Sequence, residues 1–136
     1  MGTNRAAWGS VERNRESSNI GLMVHEQDIQ QVAKRLGQAA NARQVILFGS
    51  YARGEATESS DVDLLIIAES NLPRFKRSRA LYKLLRPYPF GMDLLVYTPQ
   101  EIETGRQSPV SFVSTVLREG KTLYVSGTHF GETVAR

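Results

Sequence analysis

Two aspartates spaced i and i+2, placed just downstream of a glycine–serine turn, constrain this chain more than any other stretch. The apolar run Val45-Ile46-Leu47-Phe48 drives straight into Gly49-Ser50, and Asp61-Val62-Asp63 opens a second apolar run, Leu64 to Ile67. The pattern reads as strand, tight turn, short helix, polar loop, strand. Residues i and i+2 of a strand project from one face, so Asp61 and Asp63 stand side by side. Two neighbouring carboxylates repel unless a positive charge sits between them. A hard divalent cation with oxygen ligands suits that place. Gly49 allows the backbone to come close to a phosphate, and Ser50 adds a hydroxyl donor. A phosphate seat and a carboxylate metal site one loop apart point to metal-assisted phosphoryl or nucleotidyl chemistry.

The rest of the chain must build a scaffold around this stretch within 136 residues, which is one domain. The net charge of +3 is too small to argue for nucleic-acid binding by itself. There is no cysteine, hence no disulfide and no thiolate metal site, which is compatible with a cytoplasmic protein. No apolar run approaches membrane-spanning length and no signal peptide is visible.

Residues 1–22 lack apolar periodicity and read as a disordered amino-terminal tail, with Met23 an alternative start. The domain then runs over 23–127, and 128–136 reads as a carboxyl-terminal tail. Ile29, Val32, Ala33, Leu36 and Ala40 share one face of a helix predicted over 26–41. His25, before it, carries no role. The loop from Glu55 to Ser60 is polar; Glu55 and Glu58 read as solvated charges before they read as metal ligands. Arg53 has two open readings, a phosphate contact or an ion-pairing brace for the acids. Pro73 starts a helix predicted over 73–86, with Phe75, Leu81, Tyr82, Leu84 and Leu85 inward. Its other face, Arg74, Lys76, Arg77, Arg79 and Lys83, is either a solvated basic surface or one for nucleotide phosphates or an acidic partner. Met92 to Tyr97 is a third strand. Thr98-Pro99-Gln100-Glu101 is a capping box that starts a short helix. Ser108-Pro109 opens another, with Val110, Val113, Val116 and Leu117 on its buried side and Gly120 ending it. Leu123-Tyr124-Val125 is a candidate edge strand. The fold class is α/β (α+β), a small mixed sheet with flanking helices.

Gly49-Ser50-Tyr51-Ala52-Arg53-Gly54 together with Ser60-Asp61-Val62-Asp63-Leu64 resembles the minimal nucleotidyltransferase branch of the DNA polymerase beta-like superfamily. The similarity runs over roughly residues 26–125 in element order. It implies the nucleotidyltransferase fold, with the active site at one edge of the sheet. By the resemblance Asp61 and Asp63 bind metal and triphosphate, and Gly49 and Ser50 seat the phosphates. A third carboxylate on a neighbouring strand completes the family's metal site. Asp93, an acid unusual for a buried strand, is the later residue that fits; as a structural accident it would be a charge at an exposed strand end. Two Mg²⁺ ions and ATP as donor follow from the resemblance.

The acceptor is the open part. Small relatives pair with helical HEPN proteins, often RNase toxins, and some act as antitoxins by adding AMP to a partner tyrosine. A Mg²⁺-dependent protein adenylyltransferase is therefore the leading expectation, with no direct nucleic-acid binding. A second reading is modification of a small molecule such as an aminoglycoside, with a partner or a homodimer completing the pocket. A third is a non-catalytic antitoxin that neutralises by contact alone; the intact Gly49-Ser50 and the three aspartates argue against it.

Overall fold

The computed structural model describes residues 24–127. The tails expected over 1–22 and 128–136, and Met23, lie outside the described residues.

Helix α1 (Glu26–Ala39) buries Ile29, Val32, Ala33 and Leu36, the stripe that helical spacing predicts. Glu26 and Asp28 lie in its first turn, where negative charge complements the helix dipole. Strand β1 (Gln44–Phe48) follows, then a single helical turn α2 (Ser50–Arg53) and β2 (Val62–Ile67). A 3-10 turn, Arg74–Lys76, and helix α3 (Arg79–Leu84) carry the chain across to β3 (Met92–Tyr97). Helices α4 (Pro99–Gly105) and α5 (Phe112–Glu119) then lead to β4 (Lys121–Val125).

The four strands form one mixed sheet in the order β3-β2-β1-β4. β1 is antiparallel to both its neighbours, and β2 and β3 are parallel. The parallel pair needs a long crossover, which the segment holding α3 supplies. The two central strands, β2 and β1, are rich in Val, Ile and Leu because both faces are covered. On one face Val45, Leu47, Leu64, Ile66, Leu94 and Val96 pack with α1 and with Leu81 and Leu85. On the other, Ile46, Leu65, Ile67, Leu95 and Tyr97 pack with Ile102 of α4 and Val116 of α5.

The outer edge of β3 is closed by side chains rather than by another strand. The Tyr82 hydroxyl accepts from Leu94 N at 2.8 Å and donates, at 3.4 Å, to Met92 O. Arg77 donates to Val96 O at 3.0 Å. These alternate backbone groups point away from β2, and covering them removes a free pairing edge.

Two expectations need correction. The helix predicted over 73–86 is broken into the 3-10 turn and the six residues of α3. Phe75 is 71% exposed and Leu84 is also exposed. Arg77, placed by periodicity on the basic outer face, turns inward instead, because its guanidinium has a carboxylate and two carbonyls to bind. The helix expected from Ser108 starts at Phe112. Ser111 caps it by accepting from Ser114 N, and its own hydroxyl donates to Gly105 O. Val110 therefore precedes the helix and is 87% exposed; Val113 and Val116 are buried and Leu117 is exposed. The Thr98 capping box, with Glu101 as its return partner, forms as predicted. The last strand forms at the other sheet edge, against β1.

Candidate active site

The strand parity that sorts the core also places the acids. Asp63 and Asp93 pair directly in the β2–β3 register. Both lie on the α4/α5 face, with Leu65 and Leu95 following them toward the core. They stand at the amino-terminal ends of their strands, whereas α4 begins at the opposite end of β3. That end of the face is left open, so both an apolar core and a charged site fit on one small surface.

β1 arrives antiparallel, with Phe48 opposite Asp63, and hands the chain to Gly49. Gly49 has φ 75° and ψ −155°, a region essentially confined to glycine. A Cβ on Gly49 would also fall on the Asp63 carboxylate. The missing side chain thus serves two purposes: it permits the turn into α2, and it lets the Asp63 carboxylate lie against the backbone of that turn. Asp61 has a similar arrangement with Gly91, whose added Cβ would meet the Asp61 carboxylate. Val62 N donates to Gly91 O at 3.0 Å, which fixes that approach.

Burial, first, and then the charges of Asp93 and Asp61 push the Asp63 carboxyl above its ordinary value of 3.8; Arg53 opposes them weakly. Ionised Asp63 is therefore held in a place that favours an added cation. Among the described residues no three acidic or histidine side chains converge as a closed metal cage. The donor set is instead an open one, of half-buried Asp63 flanked by exposed Asp61 and Asp93. Open carboxylate pairs suit Mg²⁺, which keeps waters and takes further oxygens from substrate phosphates.

Ser50 opens α2 beside Gly49. Arg53, at the end of that turn, pairs with Glu55 at 2.9 Å and reaches Glu119 at 3.9 Å. Its ion pairs thus go to two glutamates, while its pull on Asp63 acts through space. The structure brings Gly49, Asp61, Asp63 and Asp93 together, with Ser50 and Arg53 on the adjoining turn. Reading the sequence alone missed Gly91 and Glu119. A glycine two residues before an acid that opens an apolar run, Gly91-Met92-Asp93, was the available signal for the first; Glu119 joins through the tertiary fold alone.

These acids and the glycine turn stand on a small mixed sheet with flanking helices, an α/β fold. The nucleotidyltransferase-domain family matches residues 29–125, and the chain belongs to that family. It is 38% identical over 88 residues to "Putative protein adenylyltransferase MJ1305" of Methanocaldococcus jannaschii, covering 59% of this chain and 56% of that protein. The chain spans about half the length of the first curated relatives it matches. Among solved structures, "Crystal structure of the toxin-antitoxin with AMP-PNP" aligns with a TM-score of 0.53 at 21% identity, over 78% of this chain and 81% of the other. A crystal structure of "a putative nucleotidyltransferase from Sulfolobus solfataricus" aligns at 0.52 and 16% identity, over 92% and 90%. These two likenesses bear on the fold, which is the one the sequence resemblance implied.

Proposed function

We propose that this chain is a Mg²⁺-dependent nucleotidyltransferase that moves AMP from ATP to a hydroxyl of a polypeptide acceptor, a tyrosine of a HEPN-type toxin, and so acts as an antitoxin. The observation that carries the activity is the Asp63–Asp93 pair in register, beside a glycine turn that leaves room for the Asp63 carboxylate. The name of the M. jannaschii relative supports a protein acceptor, and the toxin–antitoxin neighbour with AMP-PNP supports the partner class and an adenine nucleotide.

Asp61, Asp63 and Asp93 would hold the metal, which when bound neutralises the triphosphate and polarises the α-phosphorus for attack. Gly49 and Ser50 seat the β- and γ-phosphates through the turn's backbone and the serine hydroxyl. Asp93, exposed at the strand end, takes the proton of the acceptor hydroxyl. The acceptor oxygen forms a bond to the α-phosphorus, the bond to the β-phosphate oxygen breaks, and pyrophosphate leaves. A tyrosine hydroxyl titrates near ~10 in water, so it needs this base to attack at neutral pH.

Incubating the chain with Mg²⁺, each α-labelled nucleoside triphosphate and host lysate should label a polypeptide, with ATP preferred and no transfer in EDTA. Transfer that persists in EDTA, or label that enters an aminoglycoside or other small molecule instead of a protein, overturns this reading. Gly91→Ala should fold normally but displace the Asp61 carboxylate, lowering kcat by about tenfold. A Gly91→Ala enzyme with wild-type rates would show that Asp61 needs no such seat.

A further inference from the structure

Arg53, Arg74, Arg77 and Arg106 each have an acidic partner within 4.0 Å. Arg79, Lys83 and Arg86 have none among the described residues, although they line one cleft of about 600 Å³ together with Tyr82 and Tyr88. Helix α3 carries the first two of these, and Lys83, in its last turn, complements the helix dipole. Arg79 is the first residue of α3, where the helix dipole disfavours a cation, and that first turn holds no acid. Arg79 and Lys83 are like charges at i and i+4, which destabilise a helix further. Helix stability therefore does not account for Arg79, which stands with Lys83 and Arg86 on this cleft.

The same segment is apolar as well as basic. Leu72, Phe75, Leu84 and Tyr88 make up half of the eight large hydrophobic residues exposed among those described. Exposed aliphatic side chains beside cations are a mark of a protein-binding surface. A nucleic-acid groove would use the cations and the tyrosine rings but has no need of Leu72 and Leu84.

The cleft also connects to the candidate active site. Tyr88 stacks edge-on against Tyr82, with ring centroids 6.0 Å apart. The Tyr82 hydroxyl binds the backbone on both sides of Asp93, at Met92 O and Leu94 N. Tyr82 thus joins the cleft to the edge of the strand that presents Asp93.

We propose that this cleft docks an acidic segment of the polypeptide acceptor, one with carboxylates at helical-turn spacing between apolar side chains. The inference rests on the polypeptide-acceptor reading above. Arg79, Lys83 and Arg86 engage the carboxylates, Tyr88 and Ala80 take the apolar side chains, and the anchored segment presents its hydroxyl across the β3 edge to the acids.

The test uses a fluorescein-labelled 16-residue helical peptide carrying Glu at i, i+4 and i+7, Leu between them and one Tyr. Its Glu→Gln counterpart and a 16-nucleotide oligoadenylate serve as competing probes. Binding is read by anisotropy without nucleotide, at two salt concentrations, for the wild type, the double variant Arg79→Glu/Lys83→Glu and a control, Lys34→Glu, on α1. The acidic peptide should bind the wild type and the control alike, about tenfold more weakly to the double variant, and more weakly in higher salt. Equal binding of the Gln peptide, no binding of the acidic peptide, or no loss in the double variant overturns the proposal. Oligoadenylate binding that the double variant abolishes, with the peptide unbound, assigns the cleft to nucleic acid instead. Adding Mg²⁺ and labelled ATP then reads transfer to the tyrosine separately: a peptide that docks as expected but stays unlabelled counts against the acceptor reading and leaves the docking site standing.

Discussion

Asp63→Asn is expected to reduce nucleotidyl transfer by about three orders of magnitude while raising the melting temperature of the nucleotide-free protein. The two effects have one cause. Asp63 sits between the Gly49 turn and the strand partner Asp93, where burial and two neighbouring carboxylates disfavour its charge. Asparagine has the same shape and removes that charge, so the empty fold loses a repulsion. On the proposed mechanism the reaction loses a ligand for the metal that holds the triphosphate, and three decades correspond to about 4 kcal/mol of transition-state stabilisation. The sign can be followed with pH. A carboxyl whose folded pKa is raised favours the folded state below its unfolded value, and that contribution fades as pH rises through the folded value. Wild-type stability in the absence of Mg²⁺ should therefore fall as pH rises above about 4, and Asp63→Asn should lack that part of the slope. Mg²⁺ with a non-hydrolysable ATP analogue should raise the melting temperature of the wild type at pH 7 and do little for the variant, since a ligand stabilises the state that binds it. Melting curves and initial rates on the same preparations check both halves. An Asp63→Asn protein with full activity would remove Asp63 from the reaction.

The sequence made the site more legible than its surroundings, for physical reasons. Gly49, Asp61 and Asp63 are fixed by strand parity and by a turn that glycine alone can make, both local properties of the chain. Asp93 needed the resemblance, because only the parallel register brings it opposite Asp63. The first three strands were readable because each is built on an apolar run bounded by turn residues. The helices after β2 were not, because helical periodicity counts faces without knowing partners. Arg77 falls among basic residues on a helical wheel, yet the fold offers it Glu101 and two carbonyls, and that outweighs the pattern. Val110 reads as core only if the helix starts at Ser108. Ser111, capped onto Gly105 and Ser114, starts it later and leaves Val110 outside. Glu119 approaches the site from an element distant in sequence and nothing local announces it, whereas the one local sign of Gly91 is its place two residues before Asp93.

Arg77→Ala should be the most destabilising of the changes considered, and it should do so without touching the chemistry. The Arg77 side chain is 8% exposed, that of Glu101 29%. Its Nη1 donates to Glu101 Oε1 at 2.7 Å and its Nη2 to Oε2 at 3.1 Å, a two-pronged pair. Nε donates to Leu72 O at 2.8 Å, and Nη1 also reaches Val96 O at 3.0 Å. One guanidinium thus ties together the start of the β2–β3 crossover, the edge of β3 and the first turn of α4. Alanine leaves Glu101 with only its Thr98 N bond and the more exposed Arg74, 3.4 Å away, and leaves two carbonyls to find water. Removing one partner from a largely buried pair costs about 3 kcal/mol, a drop in melting temperature of about 10 °C or more for a domain of this size. Lysine should recover little, because an ammonium cannot make the fork. The Arg77 hydrogen bonds hold the Glu101 carboxyl at about 2, against an ordinary 4.5. A depressed carboxyl pKa stabilises the fold above its unfolded value and loses that contribution as pH falls through the folded one. Wild-type stability should therefore decline from about pH 4.5 toward pH 2 by a component that Arg77→Ala lacks. Denaturant melts of wild type, Arg77→Ala, Glu101→Ala and the double variant, at pH 7 and pH 3, measure the coupling directly. Single and double variants that lose the same stability at pH 7 would confirm one shared interaction. An Arg77→Ala protein that melts like the wild type would return Arg77 to the basic surface that helical spacing first assigned it.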